Sequence, residues 1–186
     1  MSRIGQAQTK GGALFLNSVI PLTEHAEFYA FGGLNYRKAE SSAFRRQPAQ
    51  ITQNNSEIYP LGFLPIIATD NYDRSLATGI RGKIKEWDLD FSNAYGSNVI
   101  NFNTENSLNA SLLSASPTSF RDGGYAFVQN TSNFDVSRNF ADALAGIHVA
   151  FGLEHRYENY QIKAGELNSY ADFGKARAVG EDAHGN

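Results

Sequence analysis

The sequence of 186 residues contains no cysteine, no long apolar run and no excess of basic charge. Without cysteine there is neither a disulfide framework nor a thiolate metal site. Because no window of about 18 residues is continuously apolar, the sequence contains no transmembrane helix. The 16 basic and 19 acidic residues are spread along the chain, so we expect no nucleic-acid partner.

The motifs that usually carry catalysis are also missing. There is no Gly-rich phosphate loop, no G-x-S-x-G elbow and no zinc-type spacing among the four histidines. The amino-terminal stretch MSRIGQAQTKGGALFL lacks the sustained apolar run of a signal peptide. We therefore expect a protein that is not an enzyme and that holds no cofactor and no metal.

Aromatic residues and glycines dominate what is present, with 13 Phe, 9 Tyr and 17 Gly. This usage favours extended strands. In the stretch 147–157, IHVAFGLEHRY, alternate side chains fall on an apolar and a polar face, because successive side chains of a strand point in opposite directions. The same alternation predicts six strands, at 12–20, 26–38, 76–84, 87–96, 125–138 and 147–157, the last continuing to about residue 163.

The connections between these strands alternate between short and long. Short turns follow the first, third and fifth strands, whereas long polar loops at 39–75 and 97–124 follow the second and fourth. Outer-membrane barrels place short turns at one end and long loops at the other. The sequence thus predicts an all-β fold of antiparallel up-and-down strands, a partial transmembrane β-barrel of about six strands.

Several segments resemble the early barrel region of TonB-dependent outer-membrane receptors. They lie between residues 26 and 166 and read AEFYAFGGLNYRKAESSAFRR, IYPLGFLP, SLATGIRGKIKEWDLDFSNAYGSN, SLNASLLSASPTSF, GYAFVQNTSNFDVSR and VAFGLEHRYENYQIKAGE. Their order and spacing, more than any one of them, carry the resemblance.

The resemblance implies a receptor in the outer membrane of a Gram-negative bacterium. It would take up a scarce nutrient such as a ferric siderophore, cobalamin or an oligosaccharide. Its partners would be outer-membrane lipid, the small nutrient ligand and the inner-membrane TonB complex, which acts through a plug domain. Such barrels have about 22 strands, so we expect residues 1–186 to be an internal fragment without signal peptide or plug.

Strand alternation within a barrel assigns three groups of side chains. The lumen-facing polar candidates are Arg81, Lys83, Asp88, Asp90, Glu154 and Arg156. The lipid-facing candidates are Leu89, Phe91, Val149, Phe151 and Leu153. The aromatic candidates for the membrane interface are Tyr36, Trp87, Tyr95 and Tyr157, although an ordinary cross-strand aromatic cluster would also explain them.

Other interpretations remain open from the sequence. Asp88 and Asp90 share a face at about 7 Å, a spacing that a glycosidase could use, and Asp70 with Asp73 could help to hold calcium in a loop. The chain could also be a soluble all-β carbohydrate-binding or ligand-binding module, or a channel-forming barrel without a plug.

Overall fold

A computed structural model describes residues 7–143 and 145–174. It contains one sheet of six antiparallel strands, arranged in chain order, which confirms the all-β, up-and-down prediction. The strands are β1 Ala7–Thr23, β2 Ala26–Ser42, β3 Ile66–Ile84, β4 Trp87–Glu105, β5 Ser119–Phe140 and β6 Ile147–Ala164. The sheet is not closed, because β1 and β6 lie at opposite edges and do not pair with each other in these residues.

Short connections join the strands at one end of the sheet, at 24–25, 85–86 and 141–146. Lys85 has a φ of 58°, the left-handed conformation that a two-residue hairpin turn requires. β1 continues through Pro21 to Thr23, beyond the predicted end of the first strand at residue 20. Proline is tolerated because β1 is an edge strand, and the register shifts between Pro21 and Thr23.

The strands have 17 to 22 residues and extend further than the sequence predicted. The long connections are consequently 43–65 and 106–118, shorter than the predicted loops 39–75 and 97–124. The added segments, 66–75 and 97–105, are rich in Asn, Asp and Ser and lack apolar alternation. They are nevertheless paired residue by residue in the β3–β4 ladder.

The register aligns side chains of like character in rows across all six strands. One row of apolar residues, on what we call the apolar face, is Ile20, Phe28, Ile80, Phe91, Phe134 and Leu153. The next row, on the opposite or polar face, contains Glu27, Arg81, Asp90 and Asp135. Over the predicted segments, the same face of each strand is therefore kept from β2 to β6, and the register shifts only outside them, between Phe102 and Asn103 of β4.

The sheet is a single layer and has almost no buried core. The buried apolar residues are only Ala30, Phe63, Ala68, Phe120, Ala126 and Val136 in the described part of the chain. The accessible surface is 12452 Å², about 40% more than the roughly 8,800 Å² of a compact protein of this mass. Both faces of the sheet therefore lack a covering layer.

At the other end of the sheet, the long connections fold against each other and form what we call the loop cap (43–65, 106–118 and 165–174). Arg46 and Phe63 pair at the base of the first connection, and the buried amide of Asn54 donates to the carbonyls of Pro48 and Tyr59. Asn106 then donates to the Leu64 carbonyl at 2.8 Å. The first connection is thus an ordered structure joined to the second.

Asn109 joins the second connection to the chain after β6. Its side-chain oxygen accepts from the backbone of Ser111 at 3.0 Å, at the start of a kinked 3₁₀ segment Ala110–Ala115. Its amide nitrogen donates to the carbonyls of Asn168 and Ala171 at 3.0 and 2.9 Å. These contacts hold α1, Leu167–Tyr170, against the loop. No helix of the described residues could span a membrane.

Candidate functional site

The apolar face carries a band of exposed hydrophobic side chains bounded by aromatic rings. Near the long connections, Tyr36 and Tyr72 have ring centroids 5.0 Å apart. Near the short turns, Trp87 packs edge-on against Phe140 at 6.1 Å. Twelve residue steps of β3, from Tyr72 to Ile84 opposite Trp87, separate these margins, about 40 Å along the strand. Tyr72 and Phe140 were not among the aromatic candidates from the sequence.

All five lipid-facing candidates lie within this band. Phe91 stands in the row of Leu153, and Leu89 in the row of Phe151. Leu153 is 75% exposed and Phe91 58% exposed, so their side chains meet nothing from the described chain that would cover them. Val149 lies beyond them, towards the short turns.

The four aromatic candidates share the apolar face but not one level. Tyr36 and Trp87 lie at its two margins. Tyr95 and Tyr157 lie in one row, both opposite Asn130, inside the band. Only the first two therefore occupy the margins that interface aromatics would take.

A polar row crosses the middle of the apolar face. It consists of Ser18, Ala30, Thr78, Asn93, Ser132 and His155. The amide nitrogen of Asn93 donates to Asn130 and Ser132, both at 2.9 Å, and Asn130 donates back to Asn93 at 3.0 Å. Because these groups satisfy one another, their desolvation costs less than that of isolated amides.

Two arginines of this face lie at or near the margins of the band: Arg138 beside Trp87, and Arg74 near the Tyr36–Tyr72 pair. Arg74 is exposed, and it lies one row inside the Tyr36–Tyr72 pair on the same face. A long arginine side chain at this depth can extend its guanidinium to the margin. The cost of such a charge in lipid is small near an interface, about 0–1 kcal/mol.

The polar face carries a charged cluster near the short turns. Arg81 bonds Glu27 at 2.6 Å, and its guanidinium lies 5.3 Å from the Tyr29 ring. Lys83 pairs with Asp88 at 3.6 Å, and the Tyr29 hydroxyl donates to Asp90 at 2.8 Å. A cavity of about 680 Å³ opens between these side chains and the β1–β2 turn. Four lumen-facing candidates are thus brought together.

The remaining lumen-facing candidates form a separate group on the same face. Arg156 pairs with Glu154 at 2.9 Å and approaches Glu158 at 3.9 Å along β6. Asp90 and Glu154 lie in neighbouring rows two strands apart. The polar face therefore holds two partly exposed ion-pair clusters, and such pairs contribute little to stability.

The acidic pairs singled out in the sequence differ in their placement. Asp88 and Asp90 do share the polar face, and both already have a protein partner. Asp70 and Asp73 lie in β3 rather than in a loop, on opposite faces, so they cannot bind one calcium ion. The described residues contain no group of three or more His, Cys, Asp or Glu that could hold a metal.

A second polar row on this face was not predicted and lies nearer the long connections. Asn35, Asp73, Asn98, Phe127 and Tyr160 stand side by side on β2 to β6. Asn35 and Asn98 donate to the two oxygens of the Asp73 carboxylate. The segments that contain Asn35, Asp73 and Asn98 look like loop in the sequence, or have mixed faces, so only the ladder reveals the row.

The loop cap borders a further open cavity of about 580 Å³ on the polar face. Tyr59 donates to the Ser107 carbonyl at 3.3 Å and packs against Phe63 with ring centroids 4.5 Å apart. Burial raises the pKa of the Tyr59 phenol above its ordinary value. The phenol therefore remains a hydrogen-bond donor throughout the physiological pH range.

No protein-family model matches the sequence, and no curated protein or solved structure is detectably similar to the chain.

Proposed function

We propose that this chain forms part of the wall of an outer-membrane β-barrel. The observation that carries the proposal is the exposed apolar band between its aromatic margins, about 40 Å long along a strand. At the strand tilt of a membrane barrel, about 40°, this length would span about 30 Å, the thickness of the hydrocarbon core of a bilayer. The apolar face would contact lipid, and the polar face would line the lumen. The short turns would lie in the periplasm, and the long connections 43–65 and 106–118 outside the cell.

Within that class, the barrel is a TonB-dependent receptor for a scarce nutrient. The resemblance of the segments between residues 26 and 166 supports this narrower proposal. The strands of 17 to 22 residues also exceed the 9 to 11 that a bilayer requires. The charged cluster around Arg81 would meet a plug domain, through which the TonB complex acts. The free edges of β1 and β6 would pair with further strands of the wall, since lipid does not satisfy open edges.

A soluble binding module accounts less well for the same observations. A β-sandwich packs two sheets about 10 Å apart over a shared core, whereas the described residues form a single layer. The exposed side chains of the apolar face would then contact water. Contiguous apolar patches of that extent mark an interaction surface.

The test compares two neighbouring residues of β6 that lie on opposite faces. Because the sequence contains no cysteine, Leu153→Cys and Glu154→Cys each introduce a single thiol for a nitroxide spin label. In phospholipid vesicles, we expect the label at Leu153 to be accessible to oxygen and the label at Glu154 to a water-soluble nickel chelate. A label at Leu61→Cys, in the exposed first connection, provides the water-accessible control. Equal accessibility at 153 and 154 would contradict the proposal.

A further inference from the structure

The polar face contains an open hollow in the half of the sheet nearer the long connections. The row next to Asn35, Asp73 and Asn98 has the small residues Gly33, Ser75 and Gly96 on β2 to β4. A side chain built at Gly96 would meet no atom within 4 Å. The amide and carboxylate groups of the neighbouring row therefore border free space.

Aromatic rings bound this hollow on both sides. Towards β1, Phe15 lies over Gly33, so that a side chain built there would clash with its ring. Towards β6, Tyr125 and Tyr160 stack with centroids 6.0 Å apart and planes 18° apart. Phe15 is 77% exposed and Tyr160 58% exposed. Flat apolar surfaces and polar groups thus alternate across the sheet.

The polar groups are held in place before any ligand arrives. The Asp73 carboxylate accepts from Asn35 at 2.9 Å and from Asn98, and Asn98 also donates to Asn71 at 2.8 Å. Within the described residues, the side-chain oxygens of Asn35 and Asn98 make no hydrogen bond. Amides fixed in this way offer further donors and acceptors at little entropic cost.

From this arrangement we infer that the hollow binds a neutral oligosaccharide. Hydroxyl groups match amides and a carboxylate that donate and accept, and the apolar face of a sugar ring matches an exposed tyrosine or phenylalanine. The row from Asn35 to Tyr160 contains no lysine or arginine, and the cation in the next row of this face, Arg37, interacts with the Asp73 carboxylate. No excess positive charge is therefore present for an anionic metal chelate. It spans about 19 Å over four interstrand steps, so it fits several sugar units rather than one.

The inference deepens the proposed function by naming the substrate class, and its place in a lumen rests on that proposal. The hollow lies at the level of the Tyr36–Tyr72 margin, one residue away on the opposite face. In a barrel wall this is the outer end of the lumen. A ligand that enters between the long connections would meet it first.

The test uses isothermal titration calorimetry on the full chain in detergent micelles, with maltohexaose and chitohexaose as probes. We expect saturable binding of at least one of the two, and loss of that binding in Gly96→Leu, because the leucine fills the hollow. Gly12→Leu is the matched control: a side chain at Gly12 also meets no atom within 4 Å, but it lies on the apolar face. It should bind as the unchanged chain does.

Substitutions of Tyr160 test the stacking surface separately. Tyr160→Ala should weaken binding by about tenfold, the effect of losing one aromatic contact, whereas Tyr160→Phe should retain it. Tyr157→Ala, three residues away on the apolar face, should have no effect. Binding of neither hexasaccharide, undiminished binding by Gly96→Leu, or equal losses in the alanine and phenylalanine variants would each overturn the inference.

The two proposals fail in different ways. If the chain binds a hexasaccharide but the spin labels at 153 and 154 behave alike, the binding site is supported and the proposal of a membrane barrel is contradicted. If the label at 153 is in lipid and the label at 154 is in water, but neither hexasaccharide binds, the membrane barrel is supported and the binding site is contradicted.

Discussion

Neighbouring residues of β4 belong to opposite environments. Leu89 and Phe91 are part of the apolar band, whereas Asp90 between them accepts from Tyr29 on the polar face. The two apolar residues also differ in depth, because Leu89 lies close to the Trp87 margin and Phe91 lies further inside. A charge introduced at these positions should therefore report both the face and the depth.

We expect Phe91→Arg to lower the free energy of unfolding from lipid vesicles by about 2–4 kcal/mol, and Leu89→Arg by about 1 kcal/mol, since the cost of arginine falls towards the interface. Asp90→Asn keeps an acceptor for Tyr29 and should be mild. Urea-induced unfolding in vesicles, followed by circular dichroism, gives these values. If Phe91→Arg and Asp90→Asn lowered the free energy of unfolding by similar amounts, the assignment of these residues to a lipid-facing and a polar face would be contradicted.

Single asparagines join the segments of the loop cap to one another. Asn109 makes hydrogen bonds with the 3₁₀ segment at Ser111 and with two carbonyls near α1. The Ser111 hydroxyl adds weaker contacts with Ala171 and Phe173, at 3.4 and 3.2 Å. Asn109→Ala should therefore cost about 1 kcal/mol, the usual effect of losing a capping side chain, and should loosen both segments together.

Limited proteolysis measures this loosening. In Asn109→Ala, cleavage within 106–118 and within 165–174 should accelerate together. Cleavage within 43–65 should remain unchanged, except close to the Leu64 carbonyl that Asn106 contacts. Asn17→Ala is the control, because Asn17 is exposed on β1 and its side chain makes no hydrogen bond among the described residues. Faster cleavage of 106–118 alone would mean that Asn109 does not join the two segments.

The elements differ in how far the sequence predicts them. The alternation of apolar and polar residues correctly predicts that Leu89, Phe91 and Leu153 share one face. It does so because side chains alternate every residue, and a slip of one residue would move all of them to the other face. The segment 66–75 was missed because Asp70, Asn71 and Asp73 resemble loop residues. Their strand depends on partners such as Asn35 and Asn98, which lie far away in sequence.

The loop cap and the oligosaccharide hollow were beyond sequence reasoning for a similar reason. Asn109 binds carbonyls about sixty residues later in the chain, and no local pattern signals such a contact. The free space above Gly96 depends on its neighbours Ser75 on β3 and Gln129 on β5, which lie far away in sequence. The alternation of side chains in a strand predicts the face on which each residue lies, but it does not predict which residues of the neighbouring strands will lie beside it.

The whole molecule exposes more surface than a compact protein of its size, on a sheet that is covered on neither face. We expect the chain to self-associate in detergent-free buffer and to give a single species with strand-rich circular dichroism when vesicles are present. Apolar surface of this extent is stable in water only when it is covered.

Sedimentation velocity with and without detergent provides the measurement. A single monomeric species that melts cooperatively in detergent-free buffer would contradict the expectation and favour the soluble binding module. The Leu153→Glu variant is a useful comparison, since a charge on the apolar face should reduce self-association, whereas Glu154→Gln on the polar face should not.

The sheet order β1-β2-β3-β4-β5-β6 has one further consequence. Every strand pairs only with the strands before and after it in the chain, so each new strand finds its template in the one just made. Pairing therefore never requires strands from opposite ends of the chain to meet. Such a sheet can be assembled hairpin by hairpin, with a single growing edge at every stage.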